Sequence, residues 1–193
     1  MEKDRLIAFS DGVIAVIITI MVLELKAPRE ASLEALEEAA PVFLSYVLSF
    51  VYVAIYWNNH HHLFAMVQRV NGTVMWANLH LLFWLSLIPF TTSWLGEHPS
   101  APIPAAIYGL SLFMPAVAWL VLKVTLVREE SGENARLASV LGSDFKGKIS
   151  PLLYLAAIAL AFVSTWIADA IFVFVALLWL MPDRRIEKAV QRG

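Results

Sequence analysis

Arg5, Ser10 and Asp11 stand within two helical turns of one another, just before an apolar run from Val13 to Leu23 in which Thr19 is the only polar residue. A guanidinium, a hydroxyl and a carboxylate this close together could form an ion pair, hold an ion or relay a proton. A second group is His60-His61-His62, preceded by Trp57-Asn58-Asn59 and followed by Asn78 and His80. Histidine is the commonest metal ligand and titrates near neutral pH. Successive helical residues point about 100° apart, so three adjacent histidines on one helix cannot chelate one ion. The i, i+4 pair Asn58 and His62 could, but asparagine is a poor zinc ligand. These histidines therefore read as structural, with no metal site. Glu30, Glu34, Glu37 and Glu38 form a third, acidic group. It could concentrate cations by focusing the field, or be an ordinary solvated connection. Neither G-x-S-x-G nor H-E-x-x-H occurs, and the chain has no cysteine to act as a nucleophile, which argues against an enzyme.

The elements that must position these groups follow from composition. Of 193 residues, 60% are hydrophobic and 16% charged. Soluble domains average about 45–50% apolar and about 25% charged residues, so the chain reads as an all-α integral membrane protein surrounded by lipid. A net charge of −2 offers no basic field for nucleic acid. A spanning helix needs about 20 mainly apolar residues. The uncharged stretches place six transmembrane helices near 5–25, 41–67, 72–95, 102–126, 148–164 and 166–182, a single channel-sized domain over 1–193. The last two are short, and Ser164, Thr165, Trp166 and Asp169 would form a tight hairpin at the outer interface.

Charge decides between five spans and six. With six, only Lys26 and Arg29 of the 14 basic residues fall outside, leaving twelve inside. Five spans would move the last four basic residues out and erase most of that asymmetry. The positive-inside rule thus favours six spans with both termini cytoplasmic. Residues 129–147 become the main cytoplasmic loop, broken at Ser131-Gly132-Glu133, and a basic tail begins at Asp183. Residues 27–40 become an acidic outer connection with a short helix. Asp11 inside the first apolar segment, and the absence of a small-x-small site after Leu23, argue against a cleaved signal.

On the first span, Val16, Thr19, Ile20 and Leu23 lie at i, i+3, i+4 and i+7, one helical stripe. Periodicity does not say whether such a stripe faces lipid, a partner helix or a pore when every face is apolar. Arg5-Leu-Ile-Ala-Phe9-Ser10-Asp11, running into Gly12 and the apolar run, resembles the R-x-x-x-F-S-D signature of the transmembrane protein 175 family of potassium-permeable channels. The resemblance extends weakly to Trp57-Asn-Asn-His60-His61, Asn78 and Pro89. It implies a homotetramer in the cell membrane whose first helices line a central pore permeable to potassium and other monovalent cations, with no cofactor. It also implies a pore narrowed by apolar residues five, nine and twelve positions beyond the motif aspartate, here Val16, Ile20 and Leu23, with Thr19 as a hydroxyl ring. The family often carries isoleucine or leucine at the first of these positions, so valine leaves Ile20 or Leu23 as alternatives for the tightest ring. No T-V-G-Y-G-like carbonyl filter occurs.

Buried polar groups in a membrane must find partners. Topology collects Arg5, Ser10, Asp11, the histidines and Asn78 in one cytoplasmic-side layer. The expectation is an Arg5–Asp11 pair completed by His61, His62 or Asn78, holding the pore helix in register beside Phe9. The alternative function is a proton-coupled or other secondary transporter, which would place titratable groups near the midplane. The histidine layer and Asp11 hint at this, but both sit toward one side.

Overall fold

The computed structural model describes residues 3–129 and 145–180, all helices and their connections. The expected loop break at Ser131-Gly132-Glu133 and the basic tail from Asp183 lie outside the described residues. Helix α1 runs Lys3–Leu23, α2 Leu33–Glu38, α3 Ala40–Ala65, α4 Gly72–Leu85, α5 Ile88–Glu97, α6 Pro102–Glu129, α7 Phe145–Leu160 and α8 Thr165–Leu180. Four stretches among these are long and apolar enough to cross a membrane: 3–23, 40–65, 72–97 and 102–129. Helices α7 and α8 have 16 residues each, about 24 Å at 1.5 Å per residue.

The local chemistry explains the boundaries. Ser32 caps α2, its Oγ accepting from the Ala35 amide at 3.2 Å, as N-cap hydroxyls do. Asn71 does the same for α4, accepting from Val74 at 3.0 Å. The ammonium of Lys3 donates to the Val67 carbonyl at 3.0 Å, satisfying an orphan carbonyl just past the end of α3. The third apolar stretch, expected as one helix over 72–95, is two helices broken at Ser86-Leu87. Pro89 has no N–H to give the Leu85 carbonyl, and its ring crowds that carbonyl. Hydroxyls bridge the break: Ser86 donates to Phe83 O at 2.7 Å, and Thr92 to Ile88 O at 2.7 Å. Such side-chain substitution is how membrane helices tolerate proline.

Helix α6 is the hub, packing on α4, α5, α7 and α8, while α3 packs on α1, α5 and α8. Two apolar cores result. One joins Ile14, Ile17 and Met21 of α1 to Val53 and Phe64 of α3, Leu81 and Leu85 of α4, and Leu122 and Leu126 of α6. The other joins Tyr52, Tyr108, Leu112, Tyr154, Ala157, Phe172 and Val175. In the second, small residues let helices approach closely. A Cβ on Gly109 would lie 2.8 Å from Ile158 Cγ1 and 3.1 Å from Phe172 Cζ. The four-residue connection 161–164 turns α7 back along α8 and leaves Trp166 exposed at the tip, where Ser164 O accepts from Ile167 N at 3.2 Å.

At its other end α1 is tied to α5. Lys26 lies 3.8 Å from Glu97, and Ser93 donates to Glu24 at 3.4 Å. The first helix is therefore held along its length by α3, α4 and α5, and its remaining face is bare.

Candidate pore helix and its anchoring network

Helix α1 divides into two faces. Leu6, Ser10, Ile14, Ile17 and Met21 are buried at four- and three-residue steps. Opposite them, Phe9, Val16, Thr19, Ile20 and Leu23 are exposed, with Val16 at 54%, Ile20 at 42% and Leu23 at 79%. The stripe singled out from the sequence is thus not used by the chain's own core. The Thr19 hydroxyl donates to the Val16 carbonyl at 2.9 Å. Its proton is committed to backbone, which leaves the oxygen lone pairs pointing outward as acceptors, a suitable ligand for a cation and not for an anion.

The buried face is anchored by a hydrogen-bond chain with a fixed direction. Ser10 Oγ donates to Leu6 O at 2.9 Å, and Asn78 Nδ2 donates to Ser10 Oγ at 2.9 Å. Asn78 Oδ1 is then the acceptor facing His60 Nε2, at 2.9 Å. His60 must therefore carry its proton on Nε2. Its Nδ1 has no partner, although the ring is buried and stacks on Phe64 at 4.5 Å. A proton there would find no acceptor, so the geometry suits a neutral imidazole. The chain joins α1, α3 and α4 at one depth.

The expected network is corrected in two places. Asp11 does not pair with Arg5. Among the described residues the ion pair within 4.0 Å is Lys26–Glu97, Arg5 is exposed, and Asp11 Oδ1 accepts from the Trp57 indole at 3.0 Å. The histidine in the network is His60, not His61 or His62. His62 bonds its own helix, Nδ1 to Asn58 O at 2.7 Å, and His61 is exposed beside Trp57 with ring centroids 6.2 Å apart. The physical reason is helix phase. On α3 the buried residues are Ser49, Tyr52, Val53, His60, Leu63 and Phe64, and one residue further on rotates a side chain about 100° away. Among the described residues no three His, Cys, Asp or Glu side chains are grouped to hold a metal.

A second buried polar layer had no counterpart in the sequence reading. Thr92 Oγ1 donates to Ser49 Oγ at 2.7 Å, Ser49 bonds the Tyr108 hydroxyl at 2.9 Å, and Thr91 bonds Ser111 at 2.8 Å. Tyr52 donates to Phe172 O at 2.6 Å. These pairs join α3, α5, α6 and α8. Hydroxyl residues are common in membrane helices, so only the three-dimensional phase reveals them.

Comparison with known proteins settles the lineage. A family model described as "Endosomal/lysosomal potassium channel TMEM175" matches residues 5–89, the segment that holds α1 and its anchoring chain. The sequence is 52% identical over its whole length to a potassium channel of Chryseobacterium sp. (strain P1-3), covering all of both chains. The chain belongs to the TMEM175 family. It is a cation channel and not an enzyme. The crystal structure of a lysosomal potassium-selective channel TMEM175 homolog from Chamaesiphon minutus matches it with TM-score 0.82 at 28% identity, over 93% of this chain and 97% of that one. The endosomal/lysosomal proton channel TMEM175 of Danio rerio is 28% identical over 60% of this chain, which spans only 22% of that longer protein.

Proposed function

We propose that four copies of this chain form a potassium-permeable channel in the cell membrane, each a single domain of six transmembrane helices with both termini cytoplasmic, and that the four α1 helices line the pore. One observation carries the reading. Helix α1 packs Leu6, Ser10, Ile14, Ile17 and Met21 into its own subunit and turns Val16, Thr19, Ile20 and Leu23 out of it. Among the described residues the interior of one chain is filled by two apolar cores and by hydrogen-bonded polar pairs, whereas four such stripes around an axis enclose a path for an ion. The potassium-channel name of the 52% identical relative supports the choice of ion.

Rings of Val16, Ile20 and Leu23 offer an ion no ligand, so the constriction gates by dewetting. Passage requires dilation or partial loss of the hydration shell, and potassium, the more weakly hydrated ion, loses water at lower cost than sodium. The Thr19 oxygens return some coordination between two apolar rings. The test is flux from liposomes under a potassium gradient, compared with sodium. Ile20→Ala and Leu23→Ala are expected to raise conductance or relax selectivity; unchanged permeability ratios in both would remove these residues from the filter. The name of the Danio rerio relative favours a second reading, proton permeation. A pH dye inside the same liposomes, with potassium absent, reads it directly.

A further inference from the structure

The anchoring chain fixes α1 within a subunit, but two polar groups at the same depth are left half-used. Asp11 is half-buried, and its Oδ1 accepts from Trp57, while Oδ2 has no partner among the described residues. On α4, His80 is exposed, and its Nε2 accepts from the Trp84 indole at 2.8 Å. An indole nitrogen can only donate, so Nε2 is the bare nitrogen and the neutral ring carries its proton on Nδ1, which has no acceptor among the described residues. One group lacks a donor and the other lacks an acceptor.

Their depths coincide. Ser10 and Asn78 are hydrogen-bonded to each other. Asp11 is one residue from the first and His80 two from the second, so both lie in one layer whatever the topology. Their directions do not coincide within a subunit. Asp11 points to the α3 side of α1, where Trp57 is. His80 lies on the outer stripe of α4 with Trp76 at 70% exposure and Phe83 at 56%, turned away from Asn78.

In a ring built from one repeated contact, the face on one side of each subunit meets a different face of the next. With α1 at the axis, the flank carrying α3 would meet the flank carrying α4. An imidazole N–H facing lipid at this depth would be unsatisfied. Resting on the tetrameric reading above, we propose that His80 of each subunit donates its Nδ1 hydrogen to Asp11 of the adjacent subunit. Trp57 and His80 then clamp the carboxylate from two chains, and the outer stripe of α4 seals the joint.

The experiment has two arms. In the first, the tetramer–monomer equilibrium of the purified full chain in detergent is measured by light scattering for His80→Ala, Asp11→Asn and the double variant. Loss of a hydrogen bond to a charged group at each interface predicts that either single change weakens assembly roughly tenfold or more. The double variant should be no weaker than the single ones, and His80→Gln, which keeps an N–H donor, should be weakened less than His80→Ala. Additive effects would overturn the pairing, as would coupling of Asp11 to Arg5→Ala in place of His80→Ala. The second arm uses the natural absence of cysteine. His61→Cys and Trp76→Cys in one chain, each one turn toward the Lys3 end of α1 from the proposed contact, should give an oxidised ladder up to the tetramer, with neither single variant doing so. Ladders from the single variants, or none from the pair, would overturn the proposed joint. A monomeric unmodified protein would refute the tetramer itself, which distinguishes that failure from failure of the pairing.

Discussion

Thr19 and Asn78 carry the sharpest residue-level expectations. Thr19 keeps its oxygen available because its proton is held by Val16 O. Thr19→Val preserves shape and removes that oxygen, so potassium flux should fall several-fold, while Thr19→Ser should stay near the parent; liposome flux decides. Asn78 joins Ser10 to His60, and Asn78→Ala breaks both bonds. Interhelical hydrogen bonds in membrane proteins average about 0.6 kcal/mol and reach about 1.7, so losing two should cost about 1–3 kcal/mol, read as a lower unfolding midpoint in detergent. Ser10 and Asn78 were legible in the sequence because polar residues in spanning segments are expensive. His60 could not be told from His61 and His62, since α3 is apolar on every side and its rotation is set by tertiary packing. The Asp11–Trp57 bond was hidden for a related reason. Arg5 is the obvious electrostatic partner for a carboxylate, but it stands on the exposed side of α1, and the indole reaches Asp11 from the neighbouring helix.

At the scale of elements, hydropathy located the long helices and missed how they bend and approach. The break at Ser86-Leu87 needed the steric effect of Pro89 to be weighed against a continuous apolar run, and hydropathy does not register sterics. Ala105 with Gly109, and Ala157 with Ala161, could be noticed as small-residue pairs, but such pairs recur in many spanning helices. Their packing shows which of them matter: Ala105, Ala157 and Ala161 are all buried, and Gly109 sits against Ile158 and Phe172. Gly109→Leu must push α6 away from α7 and α8, and overpacking of this kind costs about 1–3 kcal/mol. Gly12 is the control, because a Cβ there meets nothing within 4 Å. Gly12→Ala should leave the unfolding midpoint unchanged or raise it through better helix propensity, worth up to about 1 kcal/mol. Equal losses in both variants would show that glycine at these sites serves something other than close packing.

For the whole molecule the arrangement turns on the hairpin of α7 and α8. Sixteen residues span about 24 Å, less than the roughly 30 Å hydrocarbon core, so length alone leaves α7 and α8 short of a full crossing. In the proposed six-span arrangement three features would make up the difference. Lys146 and Lys148 in the first turn of α7 have stems long enough to reach the headgroups from within the membrane. Trp166, 80% exposed at the hairpin tip, suits the opposite interface. The bilayer can also thin locally around a short segment. Six crossings further agree with the charge asymmetry of the sequence, because they keep the last four basic residues on the side of Arg5 and Arg69. The cysteine-free background makes this testable in intact cells with a membrane-impermeant maleimide. Ser164→Cys should label from outside, as should Glu34→Cys in the outer connection, whereas Lys146→Cys and Arg69→Cys should label only after permeabilisation. If Ser164→Cys behaved like Arg69→Cys, α7 and α8 would enter and leave on the cytoplasmic side, and the positive-inside argument would be satisfied by a re-entrant hairpin instead of two spans.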